Sequence, residues 1–157
     1  PIVSATQTTR SAYTSSDIGL EDTSESFGLP ATADLMLAII STEELEDLKF
    51  AWKLCLFIKS NAIILVKNNT LLGMGAGQPN RVMSVKIAGE VAGKKSIGCV
   101  MASDAFFPFP DSITRARDLG VKCIIQPGGS INDNKVIEEA NNKGISMIFT
   151  NQRRFTH

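Results

Sequence analysis

The sequence contains few of the residues that metal sites and nucleophilic sites need. Its only histidine is His157, the last residue, and its three cysteines lie far apart without a Cys-x-x-Cys pair. Zinc sites are built from Cys and His ligands at short spacing, so we expect no metal site. A Ser-His or Cys-His nucleophilic pair lacks its base for the same reason. We predict that Cys55, Cys99 and Cys123 are buried thiols, because each lies among apolar neighbours.

The chain also has no excess charge of either sign. Sixteen basic and sixteen acidic residues cancel, so composition gives no general electrostatic reason to bind nucleic acid or a membrane surface. No apolar run approaches the length of a membrane span, and the beginning lacks the layout of a secretory signal. With 43% hydrophobic and 20% charged residues, the sequence is typical of a soluble globular domain, for which we expect a cytoplasmic location.

Residues 104–111 are the most distinctive local feature. Three phenylalanines stand between two prolines and two carboxylates, a composition that suits neither a helix nor a strand interior. Pro108 and Pro110 fix their own backbone and favour extended neighbours, so we expect a stiff aromatic ledge. The ledge follows a predicted buried strand, at the edge of a sheet where α/β proteins bind ligands. The alternative is that the rings only plug the end of a core.

From residue 42 onward, helix and strand signals are dense. Ser41 and Glu44 form a capping box, which predicts a helix to about Lys59. The elements predicted after it are a hairpin of residues 62–66 and 70–74, a helix at 79–92, a strand at 97–101, a helix at 111–119, a strand at 121–125, a helix around 136–143 and a strand at 145–149. Strands separated by single helices indicate largely parallel neighbours, an α/β class and helices on both faces of the sheet.

The residues before 42 have a different character. Residues 8–25 are rich in Ser, Thr and Asp and show little apolar periodicity, so a loop or disordered segment is the simplest prediction. Residues 2–5 are a short strand candidate. Residues 34–40 form an apolar run that fits either a strand or a buried helix.

Several short motifs occur together, in order, in the structured part. They are Lys59-Ser-Asn-Ala62, Gly73-Met-Gly-Ala-Gly-Gln78 with Arg81, Ala102-Ser-Asp-Ala-Phe-Phe-Pro-Phe109, Gln126-Pro-Gly-Gly-Ser130 and Thr150-Asn-Gln-Arg153. Over about residues 46–157 they resemble the carboxyl-terminal part of 5-aminoimidazole-4-carboxamide ribonucleotide (AICAR) formyltransferase, a purine-biosynthetic domain usually fused to inosine monophosphate cyclohydrolase. The resemblance implies a cytidine-deaminase-like three-layer sandwich with a mixed sheet. It also implies a homodimer that transfers a formyl group from formyl-tetrahydrofolate to the amine of AICAR.

The resemblance further implies roles for individual residues. Asn61 would contact the imidazole carboxamide and is the one catalytic candidate, Arg81 and Phe106 would help hold the nucleotide, and Arg153 would bind its phosphate. The residues expected to face the folate are Val82, Asp111, Ser130 and Ile131. These side chains suit amide, phosphate and ring recognition. The alternatives are that the two arginines are surface charges and that Asn61 is a turn residue.

Two features depart from that family. Its catalytic Lys-His pair lies in the preceding half of the transformylase domain and has no match here, since His157 corresponds to the family's terminal residues. We therefore expect a ligand-binding half that is inactive alone. Residues 1–45 instead resemble a fragment of phage DnaB-like replicative helicases, through residues 2–11 and 27–36. Gln7 and Arg10 would lie near nucleotide and DNA there, but the phosphate-binding Gly-x-x-x-x-Gly-Lys-Ser/Thr loop is absent.

The sequence as a whole predicts a chimera, with a helicase-like fragment at residues 1–41 and half of a formyltransferase-like domain at residues 42–157. The favoured function is a truncated site for AICAR and formyl-tetrahydrofolate, without a metal, a membrane or a nucleic acid as partner. The alternative is a non-catalytic interaction or dimerisation module.

Overall fold

The computed structural model describes residues 42–154, which form four α-helices and five strands. In chain order these are α1 (Thr42–Leu54), β1 (Ile63–Lys67), β2 (Thr70–Gly75), α2 (Arg81–Ala92), β3 (Val100–Ser103), α3 (Asp111–Asp118), β4 (Cys123–Gln126), α4 (Asp133–Lys143) and β5 (Ser146–Phe149). The predicted order of helix, hairpin and alternating elements is confirmed. The predictions for residues 2–5, 8–25 and 34–40, for the helicase-like motifs, for Ser41 and for His157 lie outside the described range.

The five strands form one mixed sheet in the order β2-β1-β3-β4-β5. β1 is antiparallel to β2 and β3, whereas β3, β4 and β5 are parallel. Ile63 at the start of β1 pairs with Gly75 and Ser103 at the ends of β2 and β3. One edge of the sheet, here called the carboxyl edge, therefore carries the start of β1 and the ends of all other strands. The α/β class and the mixed sheet are confirmed, and the cytidine-deaminase-like assignment stays a prediction.

Alternate residues of the strands pack into a core on one face of the sheet. This core joins the sheet to α2, α3 and α4 through fully or almost fully buried side chains, among them Ile63, Leu65, Val85, Ala88, Met101, Ile113, Ala116, Ile124, Val136 and Ala140. The residues between them on the strands, such as Ile64 and Val66, are also 0% exposed. Both faces of the three central strands, β1, β3 and β4, are thus covered, as buried strands of an α/β sheet require.

The hairpin turn follows from its two asparagines. Asn68 and Asn69 both have a φ of 52°, the left-handed conformation that two-residue hairpin turns need and that asparagine tolerates. Asp47 of α1 accepts hydrogen bonds from the backbone N–H groups of both residues, at 2.9 and 2.6 Å. The predicted hairpin is confirmed, and one carboxylate attaches α1 to its turn.

Two glycines of the Gly-Met-Gly-Ala-Gly motif have a packing role. A Cβ atom on Gly73 would lie 2.1 Å from the carbonyl oxygen of Ala88, and one on Gly75 would lie 2.0 Å from that of Ser84. Real Cβ atoms do not approach backbone this closely, so only glycine lets α2 lie directly on β2. These glycines place α2, and with it the residues of its first turn, against the sheet.

Two predicted boundaries are wrong. α1 ends at Leu54 and passes into a short 3₁₀ turn. Phe57 in this turn is 82% exposed, so the apolar face of the helix does not continue to Lys59. The strand predicted from residue 97 begins at Val100, because Gly98 turns the chain with a φ of 78° and Ile97 is 65% exposed. An apolar run therefore predicts too long a strand when a glycine near its beginning turns the chain.

The three cysteines are free and buried, as predicted. Burial raises the pKa of the Cys55 and Cys99 thiols to about 12 and that of Cys123 to about 11. Within residues 42–154, no three His, Cys, Asp or Glu side chains are grouped so that they could hold a metal ion. None of the helices in this range is long and apolar enough to cross a membrane.

Candidate functional site

Five chain segments meet at the carboxyl edge, and they carry the motifs singled out in the sequence. Backbone and side-chain hydrogen bonds join them pairwise. The joining bonds are Gly77 N to Lys59 O at 2.8 Å, Asp104 N to Ala62 O at 3.3 Å, Arg154 N to Asp104 O at 2.9 Å, Asn151 N to Pro127 O at 3.0 Å and Asn132 Nδ2 to Pro108 O at 2.8 Å. Residues far apart in sequence are therefore held in one continuous surface.

Asp104 is the centre of this arrangement and is 0% exposed. Its Oδ1 accepts hydrogen bonds from the backbone N–H of Ala62 at 3.1 Å and from Nη1 of Arg81 at 2.5 Å. Its other carboxylate oxygen accepts from the hydroxyl of Ser60. A buried carboxylate needs such partners to offset its lost hydration. Asp104 was not among the predicted site residues, although it lies in the stretch that the sequence singled out.

Arg81 is buried, with only 6% of its surface exposed. Besides Asp104, its guanidinium donates to the Phe106 carbonyl oxygen at 3.1 Å, to the Ser103 hydroxyl at 3.0 Å and to Oδ1 of Asn61 at 2.9 Å. The alternative that Arg81 is a solvated surface charge is therefore wrong. The structure places Arg81 as a connector of Asn61 and Phe106, and its direct contact with a nucleotide stays a prediction.

Asn61 is held by both ends of its amide group. Its Oδ1 accepts from Arg81, and its Nδ2 donates to the carbonyl oxygen of Gln78 at 2.9 Å. Its backbone carbonyl accepts from the Ser84 hydroxyl at 2.9 Å. The side chain is thus fixed and partly buried. Its predicted contact with a carboxamide requires a ligand to share these partners or replace one of them.

The partly buried Phe106 and the exposed Arg153 form a pair beside this network. The guanidinium carbon of Arg153 lies 4.8 Å from the centroid of the Phe106 ring, a cation–π contact. Arg153 is exposed, and within residues 42–154 no carboxylate lies within salt-bridge distance of it. Of the two arginines predicted from the sequence, Arg153 is the one whose charge faces outward.

The aromatic ledge serves the core and the surface together. The Phe107 ring is 0% exposed and belongs to the main core, whereas Phe109 is 60% exposed. Phe106 is partly buried. The alternative of a core plug therefore holds for Phe107, which anchors the loop. Ligand binding by the ledge stays a prediction.

The four predicted folate residues divide into two places. Val82 and Asp111 line one open cleft of about 410 Å³, together with Thr114, Arg115 and Asp118. Ser130 lies in the loop before α4, where Asp133 Oδ2 accepts its backbone N–H at 3.1 Å. Ile131, beside it, is fully exposed. The structure thus brings Val82 and Asp111 together and leaves Ser130 and Ile131 on the neighbouring loop, which Asn132 ties to the aromatic ledge.

Comparison with known proteins finds similarity to bifunctional purine biosynthesis proteins. Residues 30–91 match the family described as "AICARFT/IMPCHase bienzyme". The chain is 56% identical over 115 residues to the bifunctional purine biosynthesis protein PurH of Desulfitobacterium hafniense (strain DSM 10664 / DCB-2), which covers 73% of this chain and 22% of that protein. PurH of Prochlorococcus marinus subsp. pastoris is 55% identical over 117 residues, which cover 74% of this chain and 23% of that protein. The chain therefore spans about a fifth of the length of these relatives.

Two solved structures of RibD from Acinetobacter baumannii cover 68% of this chain. They share 20% and 19% identity with it, their TM-scores are 0.45 and 0.47, and the chain covers 33% and 35% of them. A likeness of this size does not assign a fold.

The family match begins at residue 30, inside the segment for which the sequence suggests a helicase fragment. The helicase resemblance stays a prediction. More than half of the aligned residues are identical in the PurH proteins of two different bacteria. The matched part of the chain is therefore a segment related to the bifunctional purine biosynthesis protein PurH.

Proposed function

We propose that the described unit forms one side of a binding site for AICAR and formyl-tetrahydrofolate in a PurH-type formyltransferase. The observation that carries this proposal is the convergence of the family-like motifs on Asp104. Asn61 lies between Ser60 and Ala62, which both bond to Asp104, and Arg153 precedes Arg154, whose N–H donates to the Asp104 carbonyl. Residues given ligand roles by resemblance are thus next to residues that bond to one buried residue, Asp104, through its carboxylate or its backbone carbonyl.

The nucleotide half of the site follows from three side chains. Arg153 offers an exposed guanidinium fork for phosphate oxygens. Phe106 offers a ring face on which an imidazole stacks. Asn61 offers an amide that matches a carboxamide. The buried Arg81 supports Asn61 and the backbone of Phe106, which reduces the entropy lost when a ligand binds.

The folate half lies beside the aromatic ledge. The cleft places Val82 beside the exposed carboxylate of Asp111, which accepts N–H groups of a pterin-like ring. Ser130 and Ile131 extend this surface on the neighbouring loop. Formyl-tetrahydrofolate is the cosubstrate in this proposal, and no metal takes part.

The chain alone binds these ligands without turning them over. Formyl transfer requires a base for the amine proton and a cation for the developing charge, and the sequence contains a single histidine, His157. An absorbance assay of folate conversion with the purified chain should show no turnover above a trace rate. Robust turnover that disappears in His157→Ala would contradict this part of the proposal.

Binding is tested by titrating the 157-residue chain with AICAR in a calorimeter. We expect saturable binding, an increase in melting temperature with ligand and a loss of about tenfold or more in affinity for Arg153→Gln. Arg117→Gln is the matched control, since Arg117 is an exposed arginine on α3 that lines neither part of the proposed site. The absence of binding to the folded chain, or an equal loss in both variants, would contradict the proposal.

A dimerisation unit is the second candidate, in keeping with the homodimer that the family resemblance implies. Several large apolar side chains are exposed, including Phe57 at 82% and Val91 at 65%, and a dimer interface would cover such side chains. Light scattering across a concentration series tests it, and a monomer at the highest concentration would exclude it.

A further inference from the structure

One peptide group of the aromatic ledge is held from both of its sides. The carbonyl oxygen of Phe106 accepts the Nε–H of Arg81 at 3.1 Å. The N–H of Phe107, which belongs to the same peptide group, donates to Oε1 of Gln126 at 3.1 Å. Because a peptide group is planar, fixing both its oxygen and its nitrogen fixes its orientation. The backbone torsion that precedes it, at Phe106, is fixed with it.

Gln126 is an unusual residue for its position. It is the last residue of β4 and is 0% exposed. Burying an amide side chain costs free energy unless hydrogen bonds replace those it made to water. Its Nε2 lies 3.1 Å from the sulfur of Met147, a weak acceptor. The bond from Phe107 is therefore its strongest side-chain contact, and packing alone would favour an apolar residue there.

The orientation of this peptide group constrains the backbone of Phe106, from which its ring extends. Phe106 is partly buried, and its ring lies under the guanidinium of Arg153 at 4.8 Å. The Phe107 ring is locked in the core on the far side of the clamped group. A loosened clamp would free the Phe106 ring while Phe107 stays in place.

We propose that Gln126 is a positioning residue that holds the Phe106 ring in the plane where it stacks on the heterocycle of the ligand. This inference rests on the proposed nucleotide site. Gln126 acts on the ligand through the peptide group between Phe106 and Phe107, without touching the ligand itself. If Gln126 had a purely structural role, it would stabilise β4. Its replacement would then change ligand affinity by the same factor with and without the Phe106 ring.

The test is a double-mutant cycle on the full chain, with AICAR affinity measured by calorimetry. Gln126→Met keeps the length of the side chain and removes the acceptor. We expect about a tenfold loss of affinity, the size of one hydrogen bond to a backbone N–H. In a Phe106→Leu background, the same Gln126→Met change should alter affinity by less than about twofold, because the ring that it positions is absent.

A second measurement follows the clamp directly. Hydrogen exchange of the Phe107 amide should be faster in Gln126→Met than in Val136→Ala, a core variant in α4 that is distant from the ledge in sequence and 0% exposed. Val136→Ala lowers stability without touching the clamp, and its AICAR affinity should match that of the native chain. If Gln126→Met does not fold, Gln126→Asn removes the same bond by being one methylene shorter.

Two results would overturn the inference. One is native affinity in a folded Gln126→Met variant, and the other is an equal loss with and without the Phe106 ring. If the native chain does not bind AICAR at all, the proposed function fails. The exchange measurement then decides the clamp alone, because unchanged protection of the Phe107 amide in Gln126→Met would refute it.

Discussion

The two edges of the sheet use the same type of residue in different ways. At the carboxyl edge, the fully buried Asp104 joins the loop before β1, the start of α2 and the last described segment. At the opposite edge, where the hairpin turn lies, Asp47 is 6% exposed, and within residues 42–154 it accepts hydrogen bonds from Asn68 and Asn69, which are neighbours in one turn. One aspartate connects distant parts of the chain, and the other completes a local turn.

The cations at the two edges differ in the same way. Arg81 is buried among four partners at the carboxyl edge. At the other edge, Lys122 is 62% exposed and lies 3.5 Å from Glu44, and Lys67 donates to the Ile97 carbonyl. Exposed pairs of this kind contribute little to stability, whereas a buried, connected network fixes geometry. A ligand site needs fixed geometry, and only the carboxyl edge has it in the described chain.

Removal of each aspartate should show this difference most strongly. Asp104→Ala leaves the Arg81 charge buried without its carboxylate, which typically costs about 3–5 kcal/mol. Asp47→Ala removes two hydrogen bonds to one turn and should cost about 1–3 kcal/mol. Urea unfolding followed by the fluorescence of Trp52, the only tryptophan, measures both in the described unit.

Asp104→Asn is a useful intermediate, because it keeps an acceptor for Ala62 and removes the charge. The free energy of unfolding of Asp104→Asn should fall between those of the native chain and Asp104→Ala. If Asp47→Ala cost as much as Asp104→Ala, the two edges would be equally coupled and the comparison would fail.

Local signals predicted most of the fold. The asparagine turn, the helix beginning near Pro79 and the helix end at Gly144 each follow from conformations of single residues, and the structure has all three. The errors in element boundaries occurred where a single residue interrupts an otherwise regular pattern. An apolar run predicted a strand from residue 97, and the positive φ of Gly98 moves its start to Val100.

The site was predictable only in part. Phe106 and Arg153 stood out through a recognisable motif, and the structure brings them together. Asp104, and the clamp that Gln126 forms, depend on contacts between residues distant in sequence, which no periodicity reveals. The signal available for both was a polar residue at or just after the end of a buried apolar strand. Such a residue must find partners from other loops.

The buried thiols test whether the two edges differ in their access to water. Cys55 lies near Asp104 and Arg81 of the carboxyl edge, and Cys99 lies near Lys67 and Asp47 of the opposite edge. Burial, with a further contribution from the Asp104 carboxylate, raises the pKa of Cys55 to about 12, and burial raises that of Cys99 to about 12. An unfolded thiol ionises near pH 9.0. Between these values the unfolded state binds fewer protons, so stability is complete below pH 9 and decreases as pH rises. The loss is about 1.4 kcal/mol per pH unit for each thiol.

We therefore expect the stability advantage of the native chain over Cys55→Ala to shrink by about 1.4 kcal/mol between pH 8 and pH 10. Cys99→Ala should behave alike, because burial dominates at both edges. Val85→Ala, a core variant without a titrating group, should keep a constant difference from the native chain. A pH effect confined to one cysteine would show that one edge is open to water.

The smallest expected effect comes from a matched pair of asparagines. Asn69 at the hairpin turn has a φ of 52°, and Asn151 beside the Arg153 segment has a φ of 55°. Glycine adopts this conformation at no steric cost, so Asn69→Gly should change stability by only about 0.5 kcal/mol and leave AICAR affinity unchanged. Asn151→Gly should change stability equally little, but the added backbone freedom before Arg153 should weaken AICAR binding about two- to threefold. Calorimetry on both variants compares the edges directly, and equal affinities would show that the segment carrying Arg153 is held by its other contacts alone.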